Sequence, residues 1–155
     1  MEVKKNIAYI PDNPDLYEFM TGIQYLNFIA DIFKIPVSER QEGIHHYADL
    51  FSLTDDLGQL ISAYTHGMKQ KLAIISALIH RPKLLIMDEP TAALSENEIE
   101  MLFEVIRDLK KHGVAIIYIS HRLQELEQIG DRVTILRDGQ QFDVEVVLRS
   151  NRSFG

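Results

Sequence analysis

Two short apolar runs, Leu84 to Met87 and Val114 to Ile119, with a helix-period segment between them, constrain this chain most. Both are rich in aliphatic and β-branched residues, and each ends in a polar cluster. Two buried strands joined by a helix make a right-handed βαβ unit, the building block of a parallel sheet. Asp88 and Glu89 close the first run, and Ser120 and His121 close the second. In an open parallel sheet the carboxyl ends of neighbouring strands face one crevice, where such sheets bind ligands. The spacing therefore predicts two carboxylates and an imidazole at one edge.

The rest of the chain supplies helices. Asn6 to Ile10 reads as a strand stopped by Pro11, and Pro11 to Asp15 is turn chemistry. Thr21 is placed to cap a helix with Ile23, Leu26, Phe28, Ile29, Ile32 and Phe33 as its apolar face, ended by Pro36. Ser38 and Gln41 have capping-box spacing and open a second helix through Ile44, Tyr47, Ala48, Leu50 and Phe51. Thr54 to Tyr64 reads as irregular or briefly helical. A third helix starts near Thr65, carries Met68, Leu72, Ile75, Leu78 and Ile79, and ends at Arg81-Pro82.

Ser95 and Glu98 repeat the capping-box spacing at the head of a helix from Glu96 to His112, which Gly113 stops in a left-handed turn. Beyond His121 the pattern predicts a short helix with Leu123, Leu126 and Ile129. A strand from Val133 to Leu136, a turn at Asp138-Gly139 and a hairpin partner from Phe142 to Leu148 follow.

Composition narrows the function. A 155-residue chain that is 46% hydrophobic is long enough for one ordinary core. A net charge of −7 argues against a nucleic-acid surface, which needs a Lys/Arg excess. With no cysteine, thiolate catalysis and cysteine-ligated zinc are excluded. No apolar run is long enough to span a bilayer, so a cytosolic domain is expected.

An acidic pair after an apolar strand suits a metal-nucleotide site, because Mg²⁺ prefers oxygen ligands and a second carboxylate can activate water. Alone, Asp88-Glu89 is weak evidence, since polar residues at strand ends are common; His121 alone is more often structural. Their fixed order with other segments is what carries weight. LLIMDEP followed by TAAL resembles the Walker B strand and D-loop of the ABC-type ATPases. YTHGMKQKL resembles their signature segment, IYISHR their switch-histidine strand, and AYIPDNPDLYE their Q-loop. RVTILRDGQ resembles the strand and turn that follow the switch histidine.

The resemblance implies an α/β fold: a P-loop NTPase-like partial domain with a parallel β-sheet core and an inserted helical subdomain. Residues 1–12 would be a core strand and the start of the Q-loop, 13–80 the helical subdomain with the signature segment, and 81–155 half of the core. It implies ATP and Mg²⁺ as ligands, with Asp88 and Asp12 toward the metal and Glu89 polarising the hydrolytic water. His121 would meet the γ-phosphate. Thr65, His66, Gly67 and Met68, with Ser95 of the D-loop, would contact nucleotide; the signature loop would do so on the opposite subunit of a head-to-tail dimer. Membrane-spanning transporter subunits would be the other partners, touching Asp12 to Leu16 and holding the chain at the cytoplasmic face of the membrane.

Several residues depart from the family pattern. Asp12 stands where glutamine is usual, His66 replaces a glycine, Met68 a glutamine and Ser95 an aspartate. No G-x-x-x-x-G-K-[ST] occurs in the 155 residues. The chain therefore resembles the carboxyl-side part of a nucleotide-binding domain, an ATPase when intact and expected to be inactive alone. A non-catalytic module that supplies a signature surface to a complete partner is the alternative. The part before Asp88 resembles export-type members and the part after it sugar-import members, as one lineage or two joined genes would give.

Overall fold

A computed structural model describes residues 6–137 and 140–142. They fall into two compact units, divided between Ile119 and Ser120. In the first unit, β1 (Ile7–Ile10), β2 (Leu84–Asp88) and β3 (Ala115–Ile119) form a parallel sheet in the order β1-β2-β3. The register aligns Ile10 with Met87 and Asp88 with Ile119, so the three strands end together. The expected βαβ unit is present, with α4 (Glu96–Lys111) as its crossover, but β3 is not the buried strand expected: none of Ala115–Ile119 is fully buried, and Ile117 and Ile119 are exposed. The intervening helices are α1 (Gly22–Ile32), α2 (Val37–Leu50) and α3 (His66–Leu78).

Residues 2 apart along a strand share a face, which sorts the sheet cleanly. Ala8, Ile10, Leu85 and Met87 are buried, and the Phe103 ring of α4 meets Tyr118 of β3 edge-on at 6.3 Å. The opposite face carries Ile7, Tyr9, Ile117 and Ile119, all exposed. α3 is buried nearly all round, from Gln70 through Ile75 and again at Ala77 and Leu78. It is the central helix of the unit, whereas the sequence spacing picked out only Met68, Leu72, Ile75, Leu78 and Ile79.

Helix termini account for most of the other differences. Thr21 caps α1 and Gln24 completes the box, as its position implied. The predicted apolar face of α1 is rotated, however. Gly22, Tyr25, Leu26 and Ala30 are the buried residues, while Phe28 and Ile32 are exposed. The Phe28 ring meets Tyr17 edge-on at 5.6 Å outside the core. Ser38 and Gln41 do not form a capping box: α2 begins two residues earlier than that box requires, with Pro36 at the cap and no side-chain cap bond.

Pro36 at φ −57° already sets the entry, and Arg40 secures it. Its guanidinium donates to Ile35 O at 2.6 Å and to Asp31 Oδ1 at 2.7 Å, so one buried cation satisfies the α1 exit and the α2 entry.

The segment from Thr54 to Tyr64 holds two 3₁₀ turns, Thr54–Asp56 and Ile61–Ala63. In the second unit, α5 spans Leu123–Ile129, and β4 (Ile135–Arg137) pairs antiparallel with β5 (Gln140–Phe142). The hairpin partner thus begins at Gln140, two residues before the expected Phe142. The turn residues 138–139 and the expected strand residues 143–148 lie outside the described residues.

Candidate nucleotide site

The carboxyl end of β2 is built from residues with unlike backbone demands. Asp88 is the last strand residue, and Glu89 turns the chain at φ +46°, a left-handed conformation that non-glycine residues rarely adopt. Such a residue costs on the order of 1–3 kcal/mol and clusters at functional sites. The Glu89 N–H donates to Ile119 O at 2.9 Å, so the turn is anchored to the last residue of β3. From there the chain tightens through Ala92 N–H to Glu89 O and Leu94 N–H to Thr91 O, over a buried Thr91.

Tyr9 was not anticipated. Its hydroxyl lies 3.5 Å from Asp88 Oδ2, and it is held above its ordinary titration range by desolvation, then by the charge of Asp88 and, less strongly, of Asp12. Both carboxylates therefore lie within electrostatic reach of one phenol, although Asp12 sits on an exposed bend. Tyr9 and Asp88 are far apart in the chain, and the parallel register that brings them together is not local information.

Among the described residues, no three His, Cys, Asp or Glu side chains converge on a common metal position. Mg²⁺ does not need that many, because it keeps several waters and takes one or two carboxylates plus phosphate oxygens. Asp88 and Asp12 offer oxygen donors of the kind such a cation takes, and both lie within electrostatic reach of Tyr9.

The start of α3 is fixed from behind and from the side. Gly22 and Ile23 N–H donate to Gln59 and Leu57 carbonyls, and Ile61 N–H to Met20 O, so residues 57–61 are laced to the head of α1. Tyr64 is buried and donates to Asp56 O at 2.6 Å. Next comes Thr65, whose Oγ1 accepts the Met68 N–H at 3.2 Å as the helix cap. A Cβ placed on Gly67 would stand 2.7 Å from Ala93 O, a backbone atom. Glycine lets the head of α3 rest on the 93–95 turn. Ser95 caps α4, and Glu98 Oε2 accepts the Ser95 N–H at 3.0 Å.

The structure therefore brings Gly67 against the turn that leads from Asp88-Glu89 to Ser95. His66 is exposed, and Met68 is half-buried. His121 is an exposed residue of the second unit, two positions after Ile119, the partner of Asp88. Within that unit Ser120 Oγ donates to Glu125 Oε2 at 3.1 Å and accepts the Arg122 N–H at 3.0 Å, shaping the turn on either side of His121.

Tyr64 also makes the site sensitive to alkali. Burial, then the charge of Asp56, pushes its hydroxyl from 10.0 up to about 12. The folded state keeps a proton that the unfolded state gives up, so the stabilisation is full below pH 10.0 and is lost as pH rises to about 12. Tyr64→Phe is expected to flatten that alkaline loss. An unchanged pH dependence of the unfolding midpoint would show that Tyr64 is not its source.

Residues 1–92 match the protein-family profile described as ABC transporter. The chain belongs to this family. It is 36% identical over 140 residues to an uncharacterized ABC transporter ATP-binding protein of Nostoc sp., covering 89% of this chain and 42% of that one. It is also 54% identical over 85 residues to the ribose import ATP-binding protein RbsA 3 of Rubrobacter xylanophilus, which is 55% of this chain and 17% of the relative.

A solved ATP-binding subunit of an ABC transporter superposes with a TM-score of 0.85 at 29% identity, over 91% of this chain and 60% of that one. A second, cbiO1 from Clostridium perfringens, part of the ABC transporter complex cbiONQ, gives 0.73 at 22% identity, over 91% and 57%. That second likeness speaks for the fold. The ABC-family chain described here spans less than half the length of the Nostoc relative. No helix among its described residues is long and apolar enough to cross a membrane.

Proposed function

We propose that this chain is the carboxyl-side part of the ATP-hydrolysing subunit of an ABC transporter, and that it works in a head-to-tail pair. The observation that carries the reading is the strained Glu89, set directly after a strand-end aspartate that faces Tyr9. Asp88 and Asp12 would hold Mg²⁺, which would neutralise charge on the phosphates. Glu89 would orient water and take its proton. His121 would donate a hydrogen bond to the γ-phosphate.

The first turn of α3, where Thr65 Oγ1 already takes the Met68 N–H, carries the partial charge of about +0.5 of a helix start, which suits a phosphate oxygen presented by the opposite subunit. Thr65, His66, Gly67 and Met68 form that surface, with Ser95 beside it. In this reading residues 1–12 enter the Q-loop, 13–80 make the helical subdomain, and 81–155 complete half of the core. Asp12 to Leu16 would face the transporter's membrane-spanning subunits, which keeps the assembly at the cytoplasmic side of the membrane.

A second reading follows from the sequence itself. The 155 residues carry no G-x-x-x-x-G-K-[ST] loop, the main cradle for β- and γ-phosphates. Such a chain could serve as a non-catalytic module offering its signature surface to a complete partner. Calorimetric titration with Mg²⁺-ATP separates the two. We expect this chain alone to bind weakly, and the same chain joined to a half carrying that loop to bind and hydrolyse ATP. A joined protein that neither binds nor hydrolyses ATP would leave the module reading standing.

A further inference from the structure

We propose that Lys71 is a positioning residue: through Glu98 it ties the head of α3 to the Ser95 turn, so that the two stretches move as one body. The inference deepens the reading above, in which both stretches meet nucleotide. Lys71 lies one turn into α3, and its side chain is 10% exposed. Its ammonium reaches Glu98 Oε1 at 2.9 Å. The other oxygen of the same carboxylate accepts the Ser95 N–H at 3.0 Å, and Ser95 Oγ accepts the Glu98 N–H at 3.3 Å. One carboxylate therefore serves a cap and a cross-link at once. Gly67, one turn back along α3, rests on Ala93 O, which gives a second point of contact on the same strip.

Burial tends to raise the Glu98 carboxyl, but the hydrogen bonds from Lys71 and Ser95 outweigh it and hold the group below its ordinary range. A half-buried carboxylate stripped of its cation would have to turn toward water, and the cap would turn with it.

Glutamine at this position can still complete a capping box. It offers one oxygen and one NH₂ in place of two oxygens, so it can serve Ser95 or Lys71 with good geometry but not both. Glu98→Gln thus cuts the link while keeping size and helix start.

The test is residue-resolved amide hydrogen exchange on the full 155-residue chain. The probes are the Met68 N–H, bonded to Thr65 Oγ1, and the Glu98 N–H, bonded to Ser95 Oγ. Tyr25 N–H, bonded to Thr21 O in α1, is the reference. Lys71→Met is expected to speed Met68 and Glu98 together by roughly tenfold, leaving Tyr25 unchanged, and Lys71→Arg to restore both. Acceleration at one probe only, or equally at Tyr25, would overturn the link and leave a plain stabilising ion pair. Should Lys71→Met fail to fold, Glu98→Gln carries the same two outcomes.

The ATPase reading fails separately. Linked exchange in a joined protein that ignores ATP would keep the coupling and remove its purpose, whereas hydrolysis with unlinked exchange would remove the coupling alone.

Discussion

Glu89→Gln is expected to lower ATP turnover by roughly two to four decades in a protein that joins this chain to a half carrying a phosphate-binding loop. The substitution keeps the length of the side chain and removes its basicity. Glu89 already sits at φ +46°, and glutamine inherits the same backbone and the same conformational cost. The folded state should therefore be little altered, and the KM for ATP should change far less than kcat if Glu89 acts on water and the nucleotide is held by the other residues proposed above. Near-wild-type turnover in this variant would take Glu89 out of the water-activating role. Asp88→Asn is expected to differ in kind: with Asp88 in its proposed role toward the metal, the loss should be recovered in part by added Mg²⁺.

The second large effect is expected at Gly67. A Cβ there stands 2.7 Å from Ala93 O, and backbone cannot swing aside as a flexible side chain can. Alanine is a better helix former than glycine by about 1 kcal/mol, which opposes the clash. Valine adds two further carbons and loses most of that propensity gain, so overpacking of about 1–3 kcal/mol wins. If that shift is felt in the transition state, Gly67→Val should reduce turnover by roughly 10- to 100-fold in the joined protein. Thermal unfolding should show the destabilisation too. A fully active and equally stable Gly67→Val protein would mean that the head of α3 does not need to sit on the 93–95 turn.

Local chemistry made much of this legible in advance. Thr21 with Gln24, Thr65 with Met68 N–H, and Ser95 with Glu98 are contacts between near neighbours, and each forms where the residue types allow it. Gly113 takes φ +83° after α4, as a glycine at a helix end should.

The same left-handed exit occurs at Lys34 and Ser52, after α1 and α2, where the residue type gives no hint. There the compensation is tertiary. Leu53 N–H closes on Ala48 O at 2.8 Å while the Leu53 side chain is fully buried, and the Arg40 fork gathers Ile35 O. Ser38 misled for a local reason, since Pro36 two residues before it starts the helix by fixing φ and needs no side-chain oxygen.

The site divides in the same way. The Asp88-Glu89 pair and Gly67 could be read from order and spacing along the chain. Tyr9 facing Asp88, and Lys71 reaching Glu98, depend on strand register and helix docking, which no local pattern encodes. By residue type alone a lysine belongs on a solvated surface. The 8% exposure of Lys71 marks it as something else.

The claim on which the account depends is that Glu89 of one subunit and Gly67 of the other complete one nucleotide site. Mixing the Glu89→Gln and Gly67→Val forms of the joined protein tests it directly. In a head-to-tail pair of one copy of each, one site carries both defects and the other carries neither. Half of randomly mixed pairs would hold one sound site of two, so hydrolysis should rise to roughly a quarter of the unsubstituted rate if the sites act independently. A mixture no more active than the average of its two inactive components would contradict the shared site.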